Sequence, residues 1–455
     1  MDATTLEKIA RLAGGQLVAG DPAATVSVVC TDTRALQAGD LFVALPGEKF
    51  DAHNFLADAA RIGATAAIVQ RVPVGLPANF GVIHVPDSLV ALQKLSAEYR
   101  RSLPMQVIGI TGSNGKTSTK DLTASVLATR FRVSKTDGNF NNHIGLPLTM
   151  LRARATDQIG VFEMGMNHPG EIAPLAALAA PDVAIITNVG LAHIEFMGTR
   201  EAIALEKGML AEALNPSGTL ILNADDDFSE AIAKRTNADA VFAGLARGDI
   251  RGVNLRPSFS GTRFTIEAHG RSVEAELPIP GEHMVRNALL AAAAGQVLGL
   301  SLEECAEGLA NIQLTKGRLQ QTTVRGIHIL DDTYNANPDS MSAALRTLAA
   351  IPAEGRRIAV LGRMGELGAQ SESGHRQVGE VAAETRLDCL VGVGQEAEWI
   401  AETAQRGGVG NVVRVGTTEE ATSVLRDLAR PGDLVLIKGS RSAKMERIVE
   451  GMQAQ

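Results

Sequence analysis

The stretch Thr111-Gly-Ser-Asn-Gly-Lys-Thr-Ser118 decides the reading of this chain. It follows an apolar run, Val107-Ile-Gly-Ile110, that predicts a buried strand, and precedes residues 119–129, which predict a helix. A strand, a glycine-rich turn, a Lys-Thr pair and a helix form the arrangement that cradles a nucleotide phosphate. Backbone N–H groups of Gly112, Ser113, Asn114, Gly115 and Ser118 are expected to face phosphate oxygens, Lys116 to meet the β/γ-phosphates, and the Thr117 hydroxyl to ligate Mg²⁺. The strict pattern would carry another glycine where Ile110 stands, so this is a shortened phosphate loop. Alone it could be a surface turn with an incidental lysine. The flanking strand and helix weigh against that.

Outward from the loop, the same alternation recurs. Apolar runs Ile159–Glu163, Val183–Thr187 and Thr219–Leu222 each end in a polar cluster, as does Val107–Ile110. In an open parallel sheet, ligands sit beyond the carboxyl ends of the strands, so these clusters predict one site. Residues 241–280 alternate with period two and predict β-hairpins appended to the sheet; residues 282–299 predict an Ala-rich packed helix. From residue 319 onward a second parallel pattern runs through Ile327–Leu330, Ile358–Leu361, Cys389–Val393, Val412–Val415 and Leu434–Lys438. The expected fold is α/β with three domains: a small N-terminal unit over 1–103, a central parallel-sheet nucleotide domain over 104–318, and a Rossmann-like domain over 319–455. Arg100-Arg-Ser-Leu-Pro104 reads as the first linker.

Bulk properties narrow the classes. A net charge of −8 argues against a general nucleic-acid surface. The three cysteines, Cys30, Cys305 and Cys389, have no paired spacing, which argues for a reducing compartment and against a disulfide or zinc framework. No membrane span or secretory signal is visible, so the expected location is cytoplasmic.

Several side chains are candidates for chemistry. Glu163, ending a strand, reads as a second metal ligand or as a carboxylate capping a helix. His193, beyond the next strand, reads as a metal contact or a structural histidine, and Lys207 alone reads as a solvated helix lysine. Asn287 can read an adenine edge, Arg318 can meet phosphate, and Asp332 can hold ribose or orient water; together they flank an expected domain boundary. Lys438-Gly-Ser-Arg-Ser-Ala-Lys444, with Ser440 and Arg441, is a basic, hydroxyl-rich helix start suited to a carboxylate or phosphate.

Taken in order, the motifs resemble those of the Mur ligases, ATP-dependent amide-forming enzymes of peptidoglycan precursor synthesis. The resemblance is carried by Thr31-Asp-Thr-Arg34, Gly138-Asn-Phe-Asn-Asn-His-Ile-Gly-Leu-Pro147, Glu163-Met-Gly-Met-Asn-His-Pro-Gly-Glu171, Asp332-Thr-Tyr-Asn-Ala-Asn-Pro338 and Lys438-Gly-Ser-Arg-Ser442, and it covers nearly the whole chain. These runs are most similar to the branch that joins D-alanyl-D-alanine to UDP-N-acetylmuramoyl-tripeptide.

The resemblance implies that Thr33 and Arg34 lie near the uridine nucleotide, and that Asn139, Asn141 and Asn142 contact the UDP-sugar substrate. Asn335, Asn337, Ser440 and Arg441 are further substrate-binding candidates, while Asn287, Arg318 and Asp332 close around ADP. It implies ATP and two Mg²⁺ ions, held by Thr117, Glu163, His193 and a Lys207 carbamylated by CO₂, with Lys116, Lys207 and His193 acting in catalysis. A carbamate replaces a cation with an anion carrying two oxygens, and so removes the repulsion between an ammonium and the metals. The expected assembly is a monomer. Met209 and Arg363 stand where the family usually has an acid; Arg363 puts in question a contact of that strand end with the dipeptide amine. A sister ligase, a folylpolyglutamate synthetase, a small-molecule kinase or a regulatory ATP-binding protein are the alternative readings.

Overall fold

The computed structural model describes residues 1–47, 50–313 and 315–454. Three large sheets organise them. The first has five strands in the order Gln16–Ala19, Gly81–His84, Ala66–Val69, Leu41–Val43, Val29–Cys30, parallel except for the first. Its inner strand Ala66–Val69 is wholly buried, as its unbroken apolar run requires.

The second sheet has nine strands. Its parallel part runs Val133–Lys135, Ile159–Glu163, Gln106–Thr111, Val183–Ile186, Thr219–Asn223, Asp239–Gly244. Ile250–Ser258 joins in parallel, and Gly261–Ala268 and Arg271–Leu277 extend the edge antiparallel, the hairpins expected from the period-two pattern. The register sets Glu163 beside Ile110 and Ile186 beside Thr111, so the tips of three neighbouring strands end level. The phosphate-loop helix spans Lys116–Leu127 and packs on the Ala-rich helix Glu282–Val297 and on Leu302–Ala310. Small residues permit this close approach: a Cβ at Gly308 would lie 2.4 Å from Val126 Cα. Ser301 and Glu304 form a capping box that starts the last of these helices.

The third sheet has six strands, ordered Gln320–Val324, Ile327–Asp332, Leu434–Lys438, Arg357–Leu361, Cys389–Val393, Val412–Val415, parallel except for the first. Its register pairs Asp332 with Lys438 at the carboxyl end. The helix Pro338–Ala350 follows, with Pro338 in its first turn and an Asn337–Ser340 capping box. Arg100 and Arg101 differ from the linker reading: they form the last turn of the helix Ser88–Arg101, where two cations suit the negative end of the helix. No helix among the described residues is long and apolar enough to cross a membrane.

Candidate active site

The carboxyl ends of the second and third sheets face one cavity of about 1490 Å³. The phosphate loop forms its floor. Gly115 caps the helix with φ +80°, and a Cβ there would lie 2.6 Å from Asn287 Oδ1, so only glycine lets Asn287 pack onto the loop. Lys116 Nζ donates to Gly112 O at 2.7 Å and to Ser113 O at 3.2 Å; its ammonium is pushed down in pKa by burial, against the pull of Glu163. Thr117 is buried, and its hydroxyl accepts from Arg318 Nη2 at 3.0 Å.

Glu163 stands at the tip of the strand beside the loop. Its Oε1 accepts from Asn141 Nδ2 at 2.7 Å, while the buried Oε2 has no hydrogen-bond partner among the described residues. A buried carboxylate oxygen left open is costly unless a cation or donor meets it. His193 lines the same cavity in a left-handed backbone conformation, with Nδ1 2.7 Å from Glu366 Oε2 but off the axis of a hydrogen bond. Lys207 differs: it is fully buried, its Nζ has no partner among the described residues, and it does not line the cavity. Burial first, and then the charge of Lys116, hold its pKa well below the ordinary lysine value, favouring the free amine. No three His, Cys, Asp or Glu side chains converge as a ready metal cage among the described residues. Glu163, with its open oxygen, and the Thr117 hydroxyl are oxygen donors of the kind Mg²⁺ takes, and phosphate oxygens would complete such a set.

The third sheet supplies the opposite wall. Asp332 Oδ2 lies 2.6 Å from Lys438 Nζ, which also donates to Asn335 O at 2.9 Å. Arg318 lies over the Tyr334 ring at 4.2 Å, and its buried Nε has no partner among the described residues. Asn337 Nδ2 donates to Asn114 Oδ1 at 2.7 Å, and Asp339 Oδ2 accepts from Leu191 N at 2.7 Å, so the two walls touch through these residues. Asn139, Asn142, Ser440 and Arg441 line the cavity as well.

Not every candidate gathers there. Thr33 and Arg34 lie outside the cavity; Arg34 is exposed and folds back on Asp32 at 2.6 Å. Met209 contacts Arg235, whose Nη2 lies 3.4 Å from its sulfur. Arg363 pairs with Glu396 at 3.2 Å and lines a smaller cavity of about 240 Å³, while Gly365 and Glu366 turn into the main one. The doubt Arg363 raised about the main site therefore concerns a side chain directed elsewhere. Several cavity residues escaped the sequence reading, among them two titratable side chains close to the predicted ones. Glu366 sits past the strand Arg357–Leu361 at φ +60°, and His283 lies one helical turn before Asn287, an i, i+4 spacing that could have singled it out.

Two family models match this chain: "Mur ligase middle domain" over residues 110–295 and "Mur ligase, glutamate ligase domain" over residues 317–441. Among its relatives is UDP-N-acetylmuramoyl-tripeptide--D-alanyl-D-alanine ligase of Bacillus subtilis (strain 168), 39% identical, with 98% of each chain covered. The Escherichia coli (strain K12) protein of the same name is 38% identical, covering 100% of this chain and 99% of that one. Among solved structures, MurF from Acinetobacter baumannii superposes with a TM-score of 0.91 at 33% identity, with both chains fully covered. MurF ligase from Thermotoga maritima, in complex with ADP, gives 0.84 at 31% identity, covering 94% of this chain and 97% of that one. With two family models, full-length relatives and the three-sheet architecture in agreement, the chain belongs to the Mur ligases, a family of ATP-dependent ligases.

Proposed function

We propose that this enzyme joins D-alanyl-D-alanine to UDP-N-acetylmuramoyl-tripeptide with ATP, releasing ADP and phosphate. The observation that carries the reading is one cavity walled by a phosphate loop on one sheet and by Asn335, Asn337, Ser440 and Arg441 on another. Full-length relatives bearing that substrate pair in their name support it.

In this reading, a carboxylate oxygen of the tripeptide attacks the γ-phosphorus and ADP departs. The dipeptide amine then attacks the acyl carbon, and phosphate leaves as the amide forms. The first step brings two anions together, so cationic and N–H groups must offset their repulsion. Lys116, the loop N–H groups and Arg318 serve that purpose. Asn287 and Asp332 hold the nucleoside, and Asn139, Asn141 and Asn142 orient the sugar-linked acceptor. Residues 1–103, with Thr33 and Arg34, hold the uridine end; 104–318 hold ATP, and 319–455 bring the dipeptide and shield the acyl phosphate from water.

Thr117, Glu163, His193 and a carbamylated Lys207 would hold Mg²⁺, which supplies charge neutralisation at the phosphates. The unpartnered Glu163 oxygen and the unpartnered, amine-favouring Lys207 suit that role. The enzyme is a cytoplasmic monomer in this reading. Phosphate release, measured with both substrates and with each omitted in turn, and product mass test it. Release that requires both substrates and a pentapeptide product are the expected result; release with neither points to a kinase or regulatory ATPase.

A further inference from the structure

One turn behind Lys116 and Thr117, the same helix carries a charge pair that the cavity does not use. Lys120 is 1% exposed and Asp121 2%. Asp121 Oδ1 lies 2.9 Å from Lys120 Nζ and 2.8 Å from Lys135 Nζ, and its Oδ2 accepts from Thr315 N at 3.1 Å and from Thr315 Oγ1 at 2.8 Å. Lys120 also donates to Thr136 O at 2.8 Å. None of these side chains lines the cavity. Buried ion pairs are weak sources of stability, and apolar side chains of similar size commonly replace them without loss. A fully satisfied buried cluster does fix the relative placement of the segments that contribute to it.

Those segments are the ones the site depends on. Thr315 stands three residues before Arg318. Gly317 at φ +73° and Leu319 at φ +50° turn the chain on either side of Arg318, and Leu319 N is already tied to Asp332 Oδ1 at 3.3 Å on the third sheet. Residues 316–318 therefore cross from an anchor on Asp121 to an anchor on Asp332, with Arg318 in the crossing. On the other side, Thr136 Oγ1 accepts from Glu163 N at 3.0 Å, and Thr136 opens the loop that carries Asn139, Asn141 and Asn142.

We propose that Asp121 is a positioning residue of this site: through Thr315 it sets Arg318 against the nucleotide, and through Lys120 and Thr136 it sets Glu163 and the asparagine loop. The inference rests on the ligase reading for the identity of the acceptor, but not for its nucleotide arm.

That arm is tested on the full-length chain by calorimetric titration with ADP and excess Mg²⁺, alongside thermal melts, for wild type, Thr315→Val and Thr315→Ser. Thr315→Val removes the hydroxyl donor and leaves both ammonium groups on Asp121. The expected result is ADP affinity lowered about fivefold or more in Thr315→Val, restored in Thr315→Ser, at full binding stoichiometry. A purely structural role would lower the melting temperature or the stoichiometry and leave the dissociation constant unchanged; that outcome, or equal affinity in all three proteins, overturns the proposal. Ligation is not needed for this readout. A wild-type chain that binds ADP yet joins no dipeptide sinks the ligase reading, and leaves the Asp121 inference to be judged by the affinities.

Discussion

Arg318 Nη2 donates to Thr117 Oγ1 across 3.0 Å, which bonds the crossing between two sheets to the second residue of the phosphate-loop helix. Arg318 also lies on Tyr334 and keeps a buried, unpartnered Nε. A guanidinium lodged on an aromatic ring, with one donor unpaired among the described residues, suits a phosphate oxygen. Arg318→Lys keeps the charge and loses the planar fork, so ADP affinity should fall about tenfold, roughly 1–2 kcal/mol, with little change in melting temperature. Titration calorimetry checks this; unchanged affinity would remove Arg318 from the nucleotide site.

Lys207 is fully buried, and its Nζ has no partner among the described residues. If it works as a carbamate, Lys207→Ala should lower the ligation rate about 100-fold or more, and a short-chain carboxylic acid should restore part of it by returning two oxygens to the space. Steady-state phosphate release with and without added acetate is the measurement. Near-wild-type activity of Lys207→Ala, or no rescue by acetate, would exclude the role.

Gly112 is confined by contact. A Cβ there would fall 1.8 Å from Thr187 Oγ1, at a backbone φ of +151°. Thr187 is itself held, donating its hydroxyl to Asn114 O at 2.5 Å. Gly112→Ala should therefore cost about 2–3 kcal/mol of stability. Gly138→Ala, at φ +53° with nothing within 4 Å, should cost only about 1 kcal/mol. Denaturant unfolding of both variants compares strain with collision.

His283 gives a pH dependence with a definite sign. Burial lowers its pKa from 6.5 to about 4, against the pull of Asp332. Between those values the unfolded chain binds the extra proton, so the stability contribution is complete above about 6.5 and is lost as pH falls through about 4. The ring is half-buried and faces the cavity, where water relieves part of the penalty, so the stability lost is about 1–3 kcal/mol. Wild type should lose more stability than His283→Asn over that interval in urea melts; parallel losses would refute it.

Legibility from sequence followed burial. The strands read as apolar runs, such as Val107–Ile110 and Leu434–Lys438, are central and covered on both faces. Among the strands that escaped are Val133–Lys135, Gln320–Val324 and, in the first sheet, Gln16–Ala19 and Gly81–His84. The first two are edge strands with half-polar sequences, because an edge must stay soluble. The phosphate loop, the strand-end acid and the Asn–Arg–Asp trio were legible because their chemistry is carried by residue type and position. Lys207 was not legible as a buried group from residue type alone, since Leu-Glu-Lys on a helix reads as a wet face. Nor was Asp121: Lys-Thr-Ser-Thr-Lys-Asp looks solvated, yet five of these six residues are buried. Thr33 and Arg34, which the motif assigns to the uridine end, lie outside this cavity.

Among the described residues no three His, Cys, Asp or Glu side chains converge as a ready-made cage, although Glu163, Glu171, Asp332, Asp339 and Glu366 all line the cavity. In the ligase reading, a divalent ion would then draw part of its oxygen shell from the phosphates it neutralises, so the ion and the nucleotide would each hold the other in place.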